Sequence, residues 1–204
     1  MGKGRTAAPR AGRTLTLAAV VAVAGALVAS PCAAGAQEVL ATPEQALHEI
    51  FPEGAHTSRE VRALAPAVKQ RLETTLGRRI LEDSVEVTLV HDAADRPVGY
   101  AVVTEEIGKY RPITFMVGVT PQLAVRDVMV LVYRESRGGD VKRERFLSQY
   151  RGKRATDPID INRDIINISG ATISVRSLNA GVRRVLAELT ALYGPSGTGP
   201  TGGP

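Results

Sequence analysis

Across residues 85–133 the apolar residues of this chain tend to recur at every second position, and from Leu178 they recur at every third or fourth. That change of period is the strongest constraint on the fold. A period of two alternates side chains between the faces of a strand, whereas a period near 3.6 gathers them on one stripe of a helix. Residues 85–92, "VEVTLVHD", set Val85, Val87 and Leu89 inward against Glu86, Thr88 and Val90. The segment "AADR" makes a turn, and residues 98–104 return as a second strand. "PITFMVGV" is a third strand and residues 125–133 a fourth, separated by Thr120-Pro121. Connections this short join antiparallel neighbours, because a parallel crossover needs a dozen residues or more.

Helices flank these strands. Thr42-Pro43-Glu44-Gln45 has the form of a capping box with proline in the first helical position, and this helix ends near Phe51-Pro52. A second helix is expected over residues 66–76, with Val68, Leu72 and Leu76 on one face and Gly77 as its stop. After the fourth strand come a glycine-containing loop, "RESRGGDV", and a short helix at residues 142–150. Residues 157–168 are irregular and partly apolar, and Leu178, Val182, Val185, Leu186, Leu189 and Leu192 mark a C-terminal amphipathic helix. The expected class is α+β, a small antiparallel sheet packed with helices. The expected organisation is a leader at 1–36, an N-terminal helical segment at 37–80, a cofactor-sized domain at 81–193 and a disordered Gly/Pro tail at 194–204.

The leader has three parts. Lys3, Arg5, Arg10 and Arg13 give a positive start, residues 15–30 are apolar, and Ala34 and Ala36 occupy the small positions of an A-x-A cleavage site. That is the pattern of a secretory signal peptide, with Gln37 as the new N-terminus and an extracytoplasmic (periplasmic or cell-envelope) location. The alternative is a membrane anchor formed by residues 15–30, although the run falls short of the ~20 apolar residues of a spanning helix. Without the leader the charge changes from 26 Lys+Arg against 21 Asp+Glu to 22 against 21, or +1. The basic footprint of a nucleic-acid binder is therefore absent, and the few aromatic residues make poor stacking platforms for bases. The only cysteine, Cys32, leaves with the leader, and His48, His56 and His91 stand apart from any carboxylate at metal-ligand spacing. Redox or group-transfer chemistry here requires a bound organic cofactor, and no metal site or catalytic residue is expected.

The stretch "ISGATISVRS", residues 168–177, sits where irregular chain becomes the last helix. A helix N-terminus presents unpaired amides and the positive end of the helix dipole, which together suit a phosphate. Gly170 and Ala171 keep the approach open, and the Thr172 hydroxyl stands beside those donors. The other reading of the same residues is a helix cap, with Ser169, Thr172 or Ser174 satisfying the amides.

Residues 99–189 carry a series that resembles a known family. The series runs from Gly108-Lys109 before Pro112-Ile113-Thr114 through Val117-Gly118-Val119 to residues 130–133 leading into Arg134-Glu135-Ser136-Arg137-Gly138-Gly139. Phe146, Gly152-Lys153 and Ser169-Gly170-Ala171-Thr172-Ile173-Ser174 complete it. It resembles the FMN-binding domain of the RnfG and NqrC subunits of ion-pumping redox complexes, and more closely small exported proteins made of that domain alone. The resemblance implies FMN joined through its phosphate, as a phosphoester, to Thr172, with Ser169, Gly170, Ala171 and Ser174 around it. It implies that a separate flavin transferase, using FAD and a divalent metal, makes the attachment. It also implies that the loop carrying Glu135, Ser136, Gly138 and Gly139 lies beside the flavin ring. Two features depart from the family: the loop reads "ESRGGDV" where the pump subunits have Thr-Pro-Gly, and the aspartate that usually precedes the motif is displaced. Ile166 and Asn167 stand close to the motif and the nearest acid is Asp164, so either the spacing is relaxed or Asn167 takes that role.

The function implied is an exported flavoprotein electron carrier working with membrane or extracytoplasmic redox partners. The alternatives are a flavin-free binding or assembly module of a membrane redox complex, or a reductase that holds FMN non-covalently.

Overall fold

The computed structural model describes residues 38–195 together with Met1 and Gly2. The remainder of the expected leader, and the tail beyond residue 195, lie outside the described residues. Chain order is β1 (Glu38–Val39), α1 (Pro43–Ile50), β2 (His56–Ala63), α2 (Pro66–Leu76), β3 (Ser84–His91), β4 (Pro97–Ile107), β5 (Pro112–Val119) and β6 (Val125–Tyr133). A 3-10 turn (Gly139–Lys142), α3 (Glu144–Leu147), a second 3-10 turn (Ser148–Tyr150) and α4 (Thr172–Tyr193) follow. The strands form one antiparallel sheet in the order β1-β6-β5-β4-β3-β2, so the class is α+β, as the sequence implies.

The helix signals act as the sequence suggests. Thr42 Oγ1 accepts from the Gln45 amide at 3.2 Å while Gln45 Oε1 accepts from the Thr42 amide at 2.9 Å, a reciprocal capping box. α2 stops at Gly77, which adopts the left-handed conformation. Two strands of the N-terminal segment escape the sequence pattern. β2, "HTSREVRA", has no apolar alternation because it is an edge strand largely exposed on both faces, held by its backbone ladder from His56↔His91 to Ala63↔Ser84. The two-residue β1 closes the opposite edge against β6. Residues 37–80 thus contribute strands to the sheet as well as helices.

Both faces of the sheet are covered. On one, α4 lays Val175, Leu178, Val182, Val185, Leu186 and Leu189 over Val102, Ile113, Phe115 and Val117, with Leu72 of α2 beside them. Each of these side chains, fully buried, contributes about 1.5–3 kcal/mol. On the other face, Ala46, Ile50 and Phe51 of the α1 region pack on Val90, Ala101, Met116 and Leu131. The second cluster corrects the expected alternation at the end of β3. Val90 is buried under α1 and Leu89 is only half-buried, because at that end both sides of the strand are roofed. Gly118 lets α1 in, since a Cβ there would lie 3.1 Å from Phe51 Cε2.

A charged cluster sits where α4 crosses β4. Arg184 pairs with Glu106 at 3.2 Å and approaches Glu188 at 3.8 Å and Glu82 at 3.7 Å, while Arg78 takes the other Glu106 oxygen at 2.9 Å. Glu188 is 2% exposed. Burial pushes its carboxyl up to about 7, with Arg184 opposing and Glu82 and Glu106 adding to the rise. A folded value above the ordinary one means that the unfolded chain releases the proton first as pH rises. Stability then falls between about pH 4.5 and 7 and stays low above it. Glu188→Gln is therefore expected to melt higher than the parent at pH 8, by on the order of 1–3 kcal/mol, and nearly with it at pH 4.5. Equal gaps at both pH values in thermal melts would remove this role from Glu188.

Candidate functional site

Three segments converge at the N-terminal end of α4: the β4–β5 turn, the loop after β6, and residues 168–174. They enclose a pocket of about 540 Å³ lined by Lys109 and Tyr110, by Glu135, Ser136 and Arg137, and by Gly170, Ala171, Thr172, Ile173 and Ser174. That volume is in the range of small-molecule and cofactor sites, ~300–1,000 Å³.

Glu135 ties the first two segments together. Its Oε1 accepts the amide of Tyr110 at 2.6 Å and that of Arg111 at 3.0 Å. The turn is closed by the Gly108 amide donating to the Arg111 carbonyl at 2.9 Å. A Cβ on residue 108 would lie 2.7 Å from Glu135 Oε1, so only glycine leaves room for this carboxylate.

Tyr133 and Gly138 tie the second segment to the third. The buried Tyr133 hydroxyl donates to the Arg137 carbonyl at 2.6 Å and lies 3.4 Å from Ser174 Oγ. Burial raises the Tyr133 phenol above its ordinary range, keeping it protonated as a donor. Gly138 is left-handed, with φ 77°, and a Cβ there would sit 3.2 Å from Ala171 Cβ. Ser177 Oγ, one turn further along α4, donates to the Ile107 carbonyl at 2.5 Å, so the helix start is fixed to the end of β4.

Thr172 is the first residue of α4, with Ala171 at the N-cap position and no side chain capping the helix. The capping alternative open in the sequence is thus not realised by Ser169, Thr172 or Ser174, and the opening amides of the helix carry no cap. The Thr172 hydroxyl instead accepts from Asn167 Nδ2 at 2.9 Å. Gly170 takes φ 80°, and a Cβ there would meet nothing within 4 Å, so the approach is open.

Most of the site residues expected from the sequence meet here. Glu135, Ser136, Gly170, Ala171, Thr172 and Ser174 share the pocket wall. Ser169 is exposed and not part of the wall, and Gly138 and Gly139 stand behind it, Gly138 against Ala171 and Gly139 against Lys142. Lys109, Tyr110, Arg137 and Ile173 also line the wall, and sequence reasoning misses them as site residues. Tyr110 is 74% exposed and Ile173 44%, which puts two apolar surfaces at the rim, and Lys109 Nζ lies 4.8 Å from the Tyr110 ring. Their signal is the exposure of apolar groups at a turn and at a helix start, which only the fold reveals.

Asp164 is engaged away from Thr172. Its carboxylate accepts the amides of Ile159 at 3.1 Å and Asp160 at 2.9 Å and pairs with Lys153 at 2.8 Å. Burial alone would raise its pKa, but Lys153 and the two amides hold it below the ordinary carboxylate range. The bond to Ile159 matters locally, because that β-branched residue has φ 44°, a conformation such residues rarely adopt. Asp164 is a fastener of the 157–165 loop, and Asn167 is the residue that touches Thr172.

The chain is similar in structure to NqrC of Shewanella oneidensis, at 15% identity with 71% of this chain and 83% of that chain covered and a TM-score of 0.48. It is also similar to the NqrC-type component of the Na(+)-translocating NADH-quinone reductase of Parabacteroides distasonis, at 12% identity, 71% and 84% coverage and a TM-score of 0.41. Comparison with curated proteins returns no match. The family model of the FMN-binding domain matches residues 108–187, a span that opens at the glycine of the β4–β5 turn, takes in every residue of the pocket wall and ends within α4. Residues 108–187 of this chain belong to the FMN-binding domain family.

Proposed function

We propose that this chain is an exported flavoprotein electron carrier, with FMN joined through its phosphate to the Thr172 hydroxyl by a separate flavin transferase. The observation that carries the reading is the uncapped start of α4, with Thr172 on the wall of a pocket large enough for a flavin nucleotide. A phosphate on Thr172 would stand at the positive end of a 22-residue helix, beside amides that no side chain occupies. Lys109 and Arg137 add positive charge to the same wall, and Tyr110 and Ile173 offer apolar surface for a ring system. The residues present therefore fit the group.

Bound FMN supplies one- and two-electron chemistry. The chain's part is to hold and shield it. Glu135 is committed to two backbone amides, which supports a carrier over an enzyme with its own proton chemistry. Covalent attachment suits an extracytoplasmic location, where lost cofactor is not replaced. The sequence pattern of residues 1–36 supports export, and the partners proposed are membrane or extracytoplasmic redox proteins. Among the described residues no helix is long and apolar enough to cross a membrane.

The test is to purify the chain from a host that contains a flavin transferase and then denature it. Flavin absorbance and fluorescence that remain with the polypeptide are expected. Flavin released on denaturation would replace the reading with non-covalent binding, and protein without flavin would replace it with a binding or assembly module.

A further inference from the structure

Among the described residues, the Asn167 side chain is the polar group that contacts the Thr172 hydroxyl, and half of it is unsatisfied. Its Nδ2 donates to Thr172 Oγ1 at 2.9 Å, while its Oδ1 is buried without a hydrogen-bond partner. An asparagine can donate two hydrogen bonds and accept two more, and a buried amide oxygen left unpaired calls for an explanation. The backbone fixes this arrangement from both sides. The Ile166 amide donates to Gln149 Oε1 at 2.7 Å, Ile165 is buried, and the Ile168 carbonyl accepts the Ala171 amide at 3.0 Å. Asn167 is therefore aimed at Oγ1 by its neighbours rather than by its own polar contacts.

We propose that Asn167 is a positioning residue for flavin attachment, acting by donating a hydrogen bond to the oxygen that becomes esterified; the proposal rests on Thr172 being the acceptor. A threonine hydroxyl otherwise turns freely. With one lone pair of Oγ1 engaged by Nδ2, the hydroxyl proton points away from Asn167, where a base of the transferase can take it. In the transfer, the Oγ1–phosphorus bond forms, the pyrophosphate bond of the flavin dinucleotide breaks, and AMP leaves. The proton goes to the base, and nothing is oxidised or reduced. Negative charge builds on Oγ1 before the bond is complete, and a fixed N–H donor at that atom is placed where the charge develops.

The test follows the rate of mass gain and of protein-bound fluorescence when the apo chain is mixed with a flavin transferase, FAD and the divalent metal that the transferase uses. Wild type, Asn167→Ala and Asn167→Asp are compared at pH 7.5. Asn167→Ala is expected to slow attachment by roughly 10- to 100-fold. Its apo form should melt within a few degrees of wild type, since the substitution also removes the unpaired oxygen. Asn167→Asp keeps the shape, but its ionised carboxylate accepts and cannot donate, so it is expected to be as slow as the alanine variant. Attachment at the wild-type rate in Asn167→Ala would overturn the proposal outright. Wild-type rate in Asn167→Asp would show that shape, and not donation, is what Oγ1 needs, and would overturn it equally. A wild-type chain that gains no mass would instead overturn the acceptor assignment, and this proposal with it.

Discussion

Thr172→Ala is expected to fold, be exported and carry no covalent flavin at all. The substitution removes the one oxygen that can form the ester. It leaves the helix start nearly intact, because Thr172 does not cap α4 and alanine is the better helix former. The side-chain bond lost is that from Asn167 to Thr172 Oγ1, about 1 kcal/mol, so melting should shift by only a few degrees. Thr172→Ser keeps the hydroxyl within reach of Asn167 and should retain attachment. Ser169→Ala should retain it fully, since Ser169 is exposed and outside the pocket wall. Ser174→Ala should retain it with some loss of order, since Ser174 Oγ lies 3.4 Å from the Tyr133 hydroxyl. In-gel fluorescence of the four proteins reads the result, and fluorescence in Thr172→Ala would move the acceptor elsewhere.

Gly181→Val is expected to give the largest loss of stability. In an exposed helix interior, replacing glycine by a residue with a side chain gains up to about 1 kcal/mol. At Gly181 the sign reverses, because α4 lies on the sheet with no space between them. A Cβ there would run into the ring of Phe115, which is fully buried, and would sit 2.9 Å from Glu106 Cγ. Neither neighbour can yield, since Phe115 is held among the core side chains and Glu106 is pinned by Arg78 and Arg184. Overpacking of this kind costs about 1–3 kcal/mol for a small addition, and a branched side chain should exceed that range. At ~2–4 °C per kcal/mol, the melting temperature should fall by about 10 °C. A Gly181→Val chain that melts with the parent would mean that α4 does not approach β5 this closely.

The parts of this structure legible in the sequence are those where one residue or one period decides. Thr42-Pro43-Glu44-Gln45 specifies its cap by local hydrogen bonds, Gly77 stops α2 because it adopts positive φ without strain, and the stripe from Leu178 to Leu192 has a single solution against a sheet. β2 is illegible because an edge strand held by backbone bonds needs no apolar pattern, and alternation alone misplaces Val90 because the sequence does not say that α1 roofs the second face. The site divides in the same way. The Ser169-Gly170-Ala171-Thr172 series stands out as sequence, and the structure does bring Thr172 to face Glu135 and Ser136. Tyr110, Arg137 and Ile173 join them only through contacts across the fold. Glu135 reaches over 25 residues to the Tyr110 amide, and Tyr133 reaches over 41 to Ser174. The displaced acid also needs the fold to interpret, since Asp164 faces Lys153 and the amides of Ile159 and Asp160 while the neighbouring Asn167 points at the threonine.

The central claim is that Thr172 carries FMN. The most direct test is peptide mapping by mass spectrometry of the protein exported from a host with a flavin transferase, following the peptide that contains residues 168–177. The account predicts that this peptide bears the added mass of one FMN, less one water, and that fragmentation localises it to Thr172. An unmodified peptide from protein that still holds flavin, or the same mass on any other residue, would contradict it.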